Sequence, residues 1–257
     1  MIRAVFFDVD ETIFSHRTGK VPESTRSAID ELRHRGIIVG LATGRHYLEL
    51  AHVPMPGVCF DALLTLNGQL VLDGEGNYIA GNPLTGEALE NLVQLFNACE
   101  LPISLVEKDR IYLNFADERV ERAQKAVHLP APPLGSYCGE PIYQAMAYVS
   151  DDEARILTEQ LPRCNITRWN PYGVDINAPS PGGKADGIAR FINPRGIDPR
   201  EVVAFGDAEN DVFMLRFVGT GVCMGNGSPE AKAAADLVTD DIDEDGVVNA
   251  LRRLGLI

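Results

Sequence analysis

Apolar residues come first as short continuous runs and later as alternating ones, and the change marks how this chain is organised. Residues 4–7, AVFF, form an uninterrupted apolar run suited to a strand buried on both faces. PESTRSAIDELRHRG (22–36) places Ile29 and Leu32 at helical spacing, with basic residues in the last turn and Gly36 as the stop. IIVGLAT (37–43) predicts a second buried strand, GRHYLELA (44–51) a short helix, and DALLTLNG (61–68) a third strand ending at a turn. This βαβαβ opening predicts a parallel sheet with helices on both faces.

From Pro83 the pattern changes. A helix over GEALENLVQLFNACE (86–100) leads to LPISLVEKDRIYLNF (101–115), which predicts two strands around a Lys-Asp turn. A helix over DERVERAQKAVHL (117–129), a proline-rich loop PAPPLG, a strand in IYQAMAYV, a helix in DDEARILTEQL and strands in NITRW and GVDIN follow. Strands joined by short turns are antiparallel, so this block predicts a separate α+β domain. Helix and parallel-strand alternation then resumes through GKADGIARFI, VVAFGD, ENDVFMLRF, TGVCMG, SPEAKAAA, LVT and DGVVNALRRL. The simplest account is one α/β core, residues 1–82 and 179–257, interrupted by an inserted domain over 83–178.

Composition changes this picture mainly by exclusion. The formal charge is −14 over 257 residues, which argues against binding a nucleic-acid backbone. A small anionic substrate remains compatible, because a bound cation and a few lysines reverse the field locally. Five scattered cysteines form no CxxC pair, as expected of free thiols in a reducing cytosol. The first residues lack the apolar stretch of a signal peptide, and no run approaches the roughly 18 apolar residues of a membrane span. A soluble cytoplasmic protein, monomer or homodimer, is the expectation.

The candidate chemistry lies at strand ends, where open α/β sheets bind their ligands. The first strand ends in Asp8-Val9-Asp10, the second in Thr43-Gly44-Arg45, and a later one in Gly206-Asp207 followed by Asn210-Asp211; Lys184 opens the helix that re-enters the core. Clustered carboxylates repel one another, so a hard cation such as magnesium is their natural compensation. A carboxylate can also attack phosphorus, and a second one nearby can handle the proton. Thr43 and Lys184 are suited to holding the oxygens of a transferring phosphoryl group. Thr43 is also a good helix N-cap residue. Arg45 suits either phosphate or an ion pair, while His46 and His52 suit an edge helix better than a metal site. GTGVCMGNG does not have the GxGxxG spacing of a dinucleotide site.

DVDET, LATGR, GGK before a helix, and GDAEND together resemble the four motifs of the haloacid dehalogenase superfamily of phosphotransferases. TLNG before the insertion and VDINAPSPGGKADGI after it resemble the Cof-type subgroup, which carries a class II cap. The resemblance implies a doubly wound, Rossmann-like parallel-sheet core with an inserted α+β cap that sets specificity. It implies a magnesium-dependent phosphatase acting on small phosphorylated metabolites, sugar phosphates above all, through an aspartyl-phosphate. Asp8 would be nucleophile and metal ligand; Asp10 would be general acid/base and lend its carbonyl to the metal. Val9, Thr43, Gly44, Lys184 and Asn210 would bind the phosphate. Asp207 would bind magnesium, and Asp211 would orient a water of the metal.

Glu11 departs from the resemblance, since Cof-type members usually carry Gly there; altered loop rigidity with intact chemistry is expected. Tyr112, Asn114, Arg168, Trp169 and Tyr172 are polar or aromatic residues near predicted strand ends of the inserted domain, suited to specificity or to ordinary packing. The motifs leave open a phosphomutase or other phosphotransferase built on the same aspartyl-phosphate, and a catalytically impaired binding protein. A signalling receiver fits less well, because its acidic pair and phosphorylated Asp come in a different order.

Overall fold

The structure, a computed structural model, describes residues 1–127 and 129–257. Among them the chain divides into one unit of Met1–Gly81 with Pro181–Ile257 and another of Asn82–Ser180. The first unit begins with β1 (Ala4–Phe7), α1 (Glu23–His34), β2 (Ile38–Ala42), the one-turn α2 (Tyr47–Leu50), β3 (Ala62–Thr65), β4 (Leu70–Asp73) and β5 (Tyr78–Gly81). The second holds α3 (Gly86–Ala98), β6 (Ile103–Val106), β7 (Ile111–Leu113), α4 (Glu118–Val127), β8 (Gln144–Ala147), α5 (Asp151–Gln160), β9 (Asn165–Asn170) and β10 (Gly173–Asn177). The chain then returns through α6 (Lys184–Ile192), β11 (Val202–Gly206), α7 (Val212–Phe217), β12 (Thr220–Cys223), α8 (Pro229–Ala234), β13 (Leu237–Val238) and α9 (Gly246–Arg253).

Among the described residues the first unit is built on an eight-stranded sheet in the order β13-β12-β11-β1-β2-β3-β4-β5. β1 lies at its centre, paired in parallel with β11 on one side and β2 on the other. Its four residues are all buried because successive side chains enter opposite layers. Val5 and Phe7 join Ala28, Ile29 and Leu32 of α1 and Val247 and Leu251 of α9. Ala4 and Phe6 join Ile188, Phe191 and Ile192 of α6 and Met214 of α7. Each of these large side chains contributes about 1.5–3 kcal/mol on burial. The two layers are the doubly wound arrangement expected of continuous apolar strands.

The sheet is not wholly parallel, as the opening pattern implied. β4 pairs antiparallel with β3, and β5 antiparallel with β4. Leu66, Asn67 and Gly68 all have positive φ, at 54°, 53° and 85°, and they reverse the chain within one turn. A parallel crossover needs a dozen or more residues, which this turn does not supply.

Gly68 also sets how α6 approaches the sheet. A Cβ there would lie 2.5 Å from the Gly183 carbonyl oxygen and 2.9 Å from the Gly187 nitrogen. The Gly68 carbonyl in turn accepts Arg190 Nη1 at 2.8 Å. Gly68→Ala combines a strained left-handed backbone with overpacking against backbone atoms. We expect a loss of about 3 kcal/mol, read as a lower denaturant midpoint with unchanged slope.

The second unit, taken by itself, carries a five-stranded sheet in the order β7-β6-β8-β10-β9 with every pairing antiparallel. Leu92 and Phe96 of α3 and Leu157 of α5 pack on Ile103, Leu105, Ala145, Ala147, Val174 and Ile176. Val120 and Ala123 of α4 join Leu113, Tyr148 and Trp169 in a smaller cluster. The helix expected over 117–129 is present as α4; its His128 lies outside the described residues. No helix among the described residues is long and apolar enough to cross a membrane.

Candidate active site

β1 delivers Asp8 to the carboxyl edge of the sheet, and β11, its neighbour, delivers Asp207 beside it. Lys184, the first residue of α6, reaches the same point from the packing layer of that helix. It is 0% exposed, and its Nζ donates at 2.6 Å to both Asp8 Oδ1 and Asp211 Oδ1. Oxygens of Asp8, Asp207 and Asp211 all lie within 4.8 Å of one another.

Asp211 is held on both sides. Its Oδ2 accepts the backbone N–H of Asp207 at 2.9 Å and of Ala208 at 3.0 Å, while Oδ1 takes Lys184. Gly206 permits this, since a Cβ there would lie 2.5 Å from the Asp211 carboxyl carbon. Asp211 is therefore an anchor for Lys184 and the Asp207 loop, and Asp8 and Asp207 are the better placed to face a ligand. Thr12 Oγ1 donates to Asp207 Oδ1 at 3.0 Å.

The electrostatics follow from three carboxylates sharing one buried ammonium. Burial pushes the Asp8 carboxyl up to about 8, the Lys184 charge opposing the rise and the Asp211 charge adding to it. Burial, with Asp211 beside it, pushes Asp207 up to about 6. Burial disfavours the Lys184 ammonium, but Asp211 and Asp8 outweigh it and hold that group above its ordinary value. A cluster of hard oxygen donors with surplus negative charge is the donor set a divalent cation fits.

Asp10 lies outside this cluster. Arg45 grips it with a fork, Nε on Oδ2 at 2.8 Å and Nη2 on Oδ1 at 2.7 Å. His16 Nε2 meets Oδ1 at 2.7 Å. Burial alone would raise the Asp10 carboxyl, but the bonds and charge of Arg45, followed by those of His16, bring it below its ordinary value. Of the two uses foreseen for Arg45, the structure displays the ion pair, made to Asp10.

Val9 is buried, its carbonyl accepting the amides of Thr12, Ile13 and Phe14 in one tight turn. Thr43 is buried at the end of β2, and its hydroxyl accepts the Arg45 N–H at 3.1 Å. It does not cap α2. That cap is His46, whose Nδ1 accepts the Leu48 N–H at 3.3 Å while Glu49 closes the capping box. Gly44 lies against Asn67, the partner to which Asn210 Nδ2 donates at 3.2 Å. Asn210 is thus tied to the Leu66–Gly68 turn and not to the carboxylates.

Sequence reasoning attached no role to Thr12, His16, Asn67 or Asn226. Thr12 had a signal, as the Thr of DVDET. Asn226 carries none beyond its glycine neighbours, yet its Nδ2 donates to the Glu11 carbonyl at 2.7 Å. In the second unit, two of the suggested specificity residues serve the fold. Asn114 bonds backbone atoms of Ile103, Phe96 and Leu101, and the Tyr112 hydroxyl donates to Glu107 at 2.7 Å. Arg168 pairs with Asp151 at 2.9 Å, and Tyr172 is exposed.

The same architecture occurs in known proteins. The chain is 33% identical over 258 residues to the Bacillus subtilis (strain 168) protein named "Putative phosphatase YkrA", covering 99% of this chain and 98% of that one. The solved structure of the HAD-superfamily phosphatase BT1666 from Bacteroides thetaiotaomicron superposes with a TM-score of 0.86 at 28% identity, over 100% of this chain and 96% of the other. The HAD subclass IIB sugar phosphatase BT4131 superposes with a TM-score of 0.77 at 30% identity, over 99% and 100%. The model of the haloacid dehalogenase-like hydrolases matches residues 5–251, a span that takes in Asp8, Lys184, Asp207 and Asp211. With that match, and the strand-end carboxylates around a buried lysine, the chain belongs to the haloacid dehalogenase-like hydrolases.

Proposed function

We propose that this enzyme is a magnesium-dependent phosphatase of small phosphorylated metabolites, with sugar phosphates as the favoured class. The observation that carries the reading is Asp8: a buried carboxylate at a strand end, one oxygen on a buried lysine, among acidic groups in excess. Its relatives named as phosphatases, one of them a sugar phosphatase, support the same class.

In this reading Asp8 attacks phosphorus, forming the acyl-phosphate bond as the ester oxygen departs. Asp10 gives that oxygen a proton, then takes one from the water that attacks the acyl-phosphate, which restores the Asp8 carboxylate and releases inorganic phosphate. The Thr43 hydroxyl, the Val9 and Gly44 amides and Lys184 hold the phosphoryl oxygens, with Asn210 on the same side. Asp8, Asp207 and the Asp10 carbonyl would hold magnesium, and Asp211 would keep the Asp207 loop in place. When bound, the cation neutralises the charge on the phosphoryl oxygens. The inserted unit over 83–178 would set specificity.

Phosphate release from a panel of phosphorylated metabolites, with magnesium and with EDTA, tests this reading. We expect turnover with magnesium, loss of at least about a hundredfold in EDTA, and recovery when magnesium is returned in excess. Equal rates with and without chelator would remove the metal from the reading. Label passing to a sugar hydroxyl without free phosphate would make the enzyme a phosphotransferase.

A further inference from the structure

Residue 11 carries a side chain on a left-handed backbone, and the structure gives that side chain a use. Glu11 has φ of 59°, in the left-handed region where a side chain costs about 1–2 kcal/mol and glycine nothing. Its Oε1 accepts the backbone N–H of His16 at 3.0 Å. Its amide donates to the Phe14 carbonyl at 2.8 Å, and its own carbonyl accepts Asn226 Nδ2 at 2.7 Å. Asn226 is itself fixed, its Oδ1 accepting the Ile242 N–H at 3.0 Å. The Phe14 and His16 rings meet edge to face, 5.2 Å between centroids. These bonds aim the imidazole at Asp10, 2.7 Å from Oδ1.

We propose that His16 is a positioning residue for Asp10 and that Glu11 is the strut that sets it. This rests on the phosphatase reading, in which Asp10 protonates the leaving oxygen. While Arg45 grips both carboxylate oxygens, Asp10 is held as an anion. A proton on Oδ2 weakens the Arg45 Nε bond, because that oxygen then has a hydrogen to direct at the leaving oxygen and is a poorer acceptor. Oδ1 becomes the carbonyl oxygen and still accepts two bonds, from Arg45 Nη2 and from His16. His16 donates from Nε2 in both states, since Oδ1 is an acceptor in both. It thereby keeps Asp10 aligned in the half of the cycle in which the Arg45 fork is weakened. The Asp10 side chain is 33% exposed, so surrounding packing alone does not fix its rotamer.

Two substrates separate this role from a structural one. A sugar phosphate loses an alkoxide that needs a proton, whereas p-nitrophenyl phosphate loses a phenolate that departs without one. In kcat/KM, which reports that departure, His16→Ala should lose about tenfold on the fastest sugar phosphate of the panel. Its loss on p-nitrophenyl phosphate should be at least fivefold smaller. His16→Gln, whose amide can donate to Asp10, should recover part of the difference. Glu11→Gly, which suits the left-handed backbone and removes only the strut, should show the same selective loss at about threefold. Equal losses on both substrates, or none, would overturn the proposal. A wild-type enzyme that releases phosphate from neither substrate would overturn the phosphatase reading itself, and this proposal with it.

Discussion

Replacing Asp8 with asparagine should abolish phosphate release, by about four orders of magnitude or more, without destabilising the fold. The amide keeps the shape of the carboxylate, and its oxygen can still accept from Lys184 Nζ, which lies 2.6 Å from Asp8 Oδ1. It cannot form the acyl-phosphate. The stability half of the expectation follows from the sign of the pKa shift. Burial pushes Asp8 up to about 8, above its ordinary value, so near pH 7 its ionised form works against folding in the metal-free protein. Asparagine removes that charge. The melting temperature in EDTA should be no lower than that of the parent chain, while magnesium should stabilise the variant less. Retained turnover in Asp8→Asn would take the nucleophile's role from this residue.

Lys184→Met should have the largest effect on stability. Lys184 lies between two buried carboxylates and is itself 0% exposed, and methionine replaces its stem without its charge. Breaking a buried pair by removing one partner costs about 3–5 kcal/mol, which for a chain of this size lowers the melting temperature by roughly 6–20 °C. The loss should be greatest in EDTA. Magnesium should restore more stability to the variant than to the parent, since it replaces the positive charge that Lys184 placed beside Asp8. Melts of both proteins, with and without the cation, read this directly. A variant that melts with the parent chain would mean that the cluster is neutralised by protonation instead.

The parts legible in the sequence were those where burial and charge conflict. Asp8, Asp207, Asp211 and Lys184 are polar residues at the ends of apolar runs, and the structure brings them within one cluster. The βαβ alternation was legible because each strand is buried on both faces and leaves no polar alternation to confuse it. The antiparallel return of β4 beside β3 was not, because LNG was read only as a turn that ends the strand, and its residue types do not show that three positive φ values send the chain straight back. His16 had no periodicity to mark it. Its approach to Asp10 depends on the left-handed residue 11, a conformation that an acidic side chain does not advertise. Arg45 was visible, but its partner was not, since the choice between solvent and Asp10 is made by the tight turn at Val9.

The pairing of β1 with β11, Ala4 opposite Val202, also bears on how the protein is made. On the ribosome β1 can find β2 early, but its other edge stays open until β11 has been synthesised. At about 5–20 residues per second that delay is on the order of ten seconds or more. Asn82–Ser180 emerges whole within the interval and has its own apolar cluster on which to fold. Asp8 is therefore translated well before Lys184 and Asp207, and its contacts with them form late. Premature termination after the inserted unit would leave a nascent chain with an open, apolar sheet edge and Asp8 without Lys184, a natural client for chaperones and proteases.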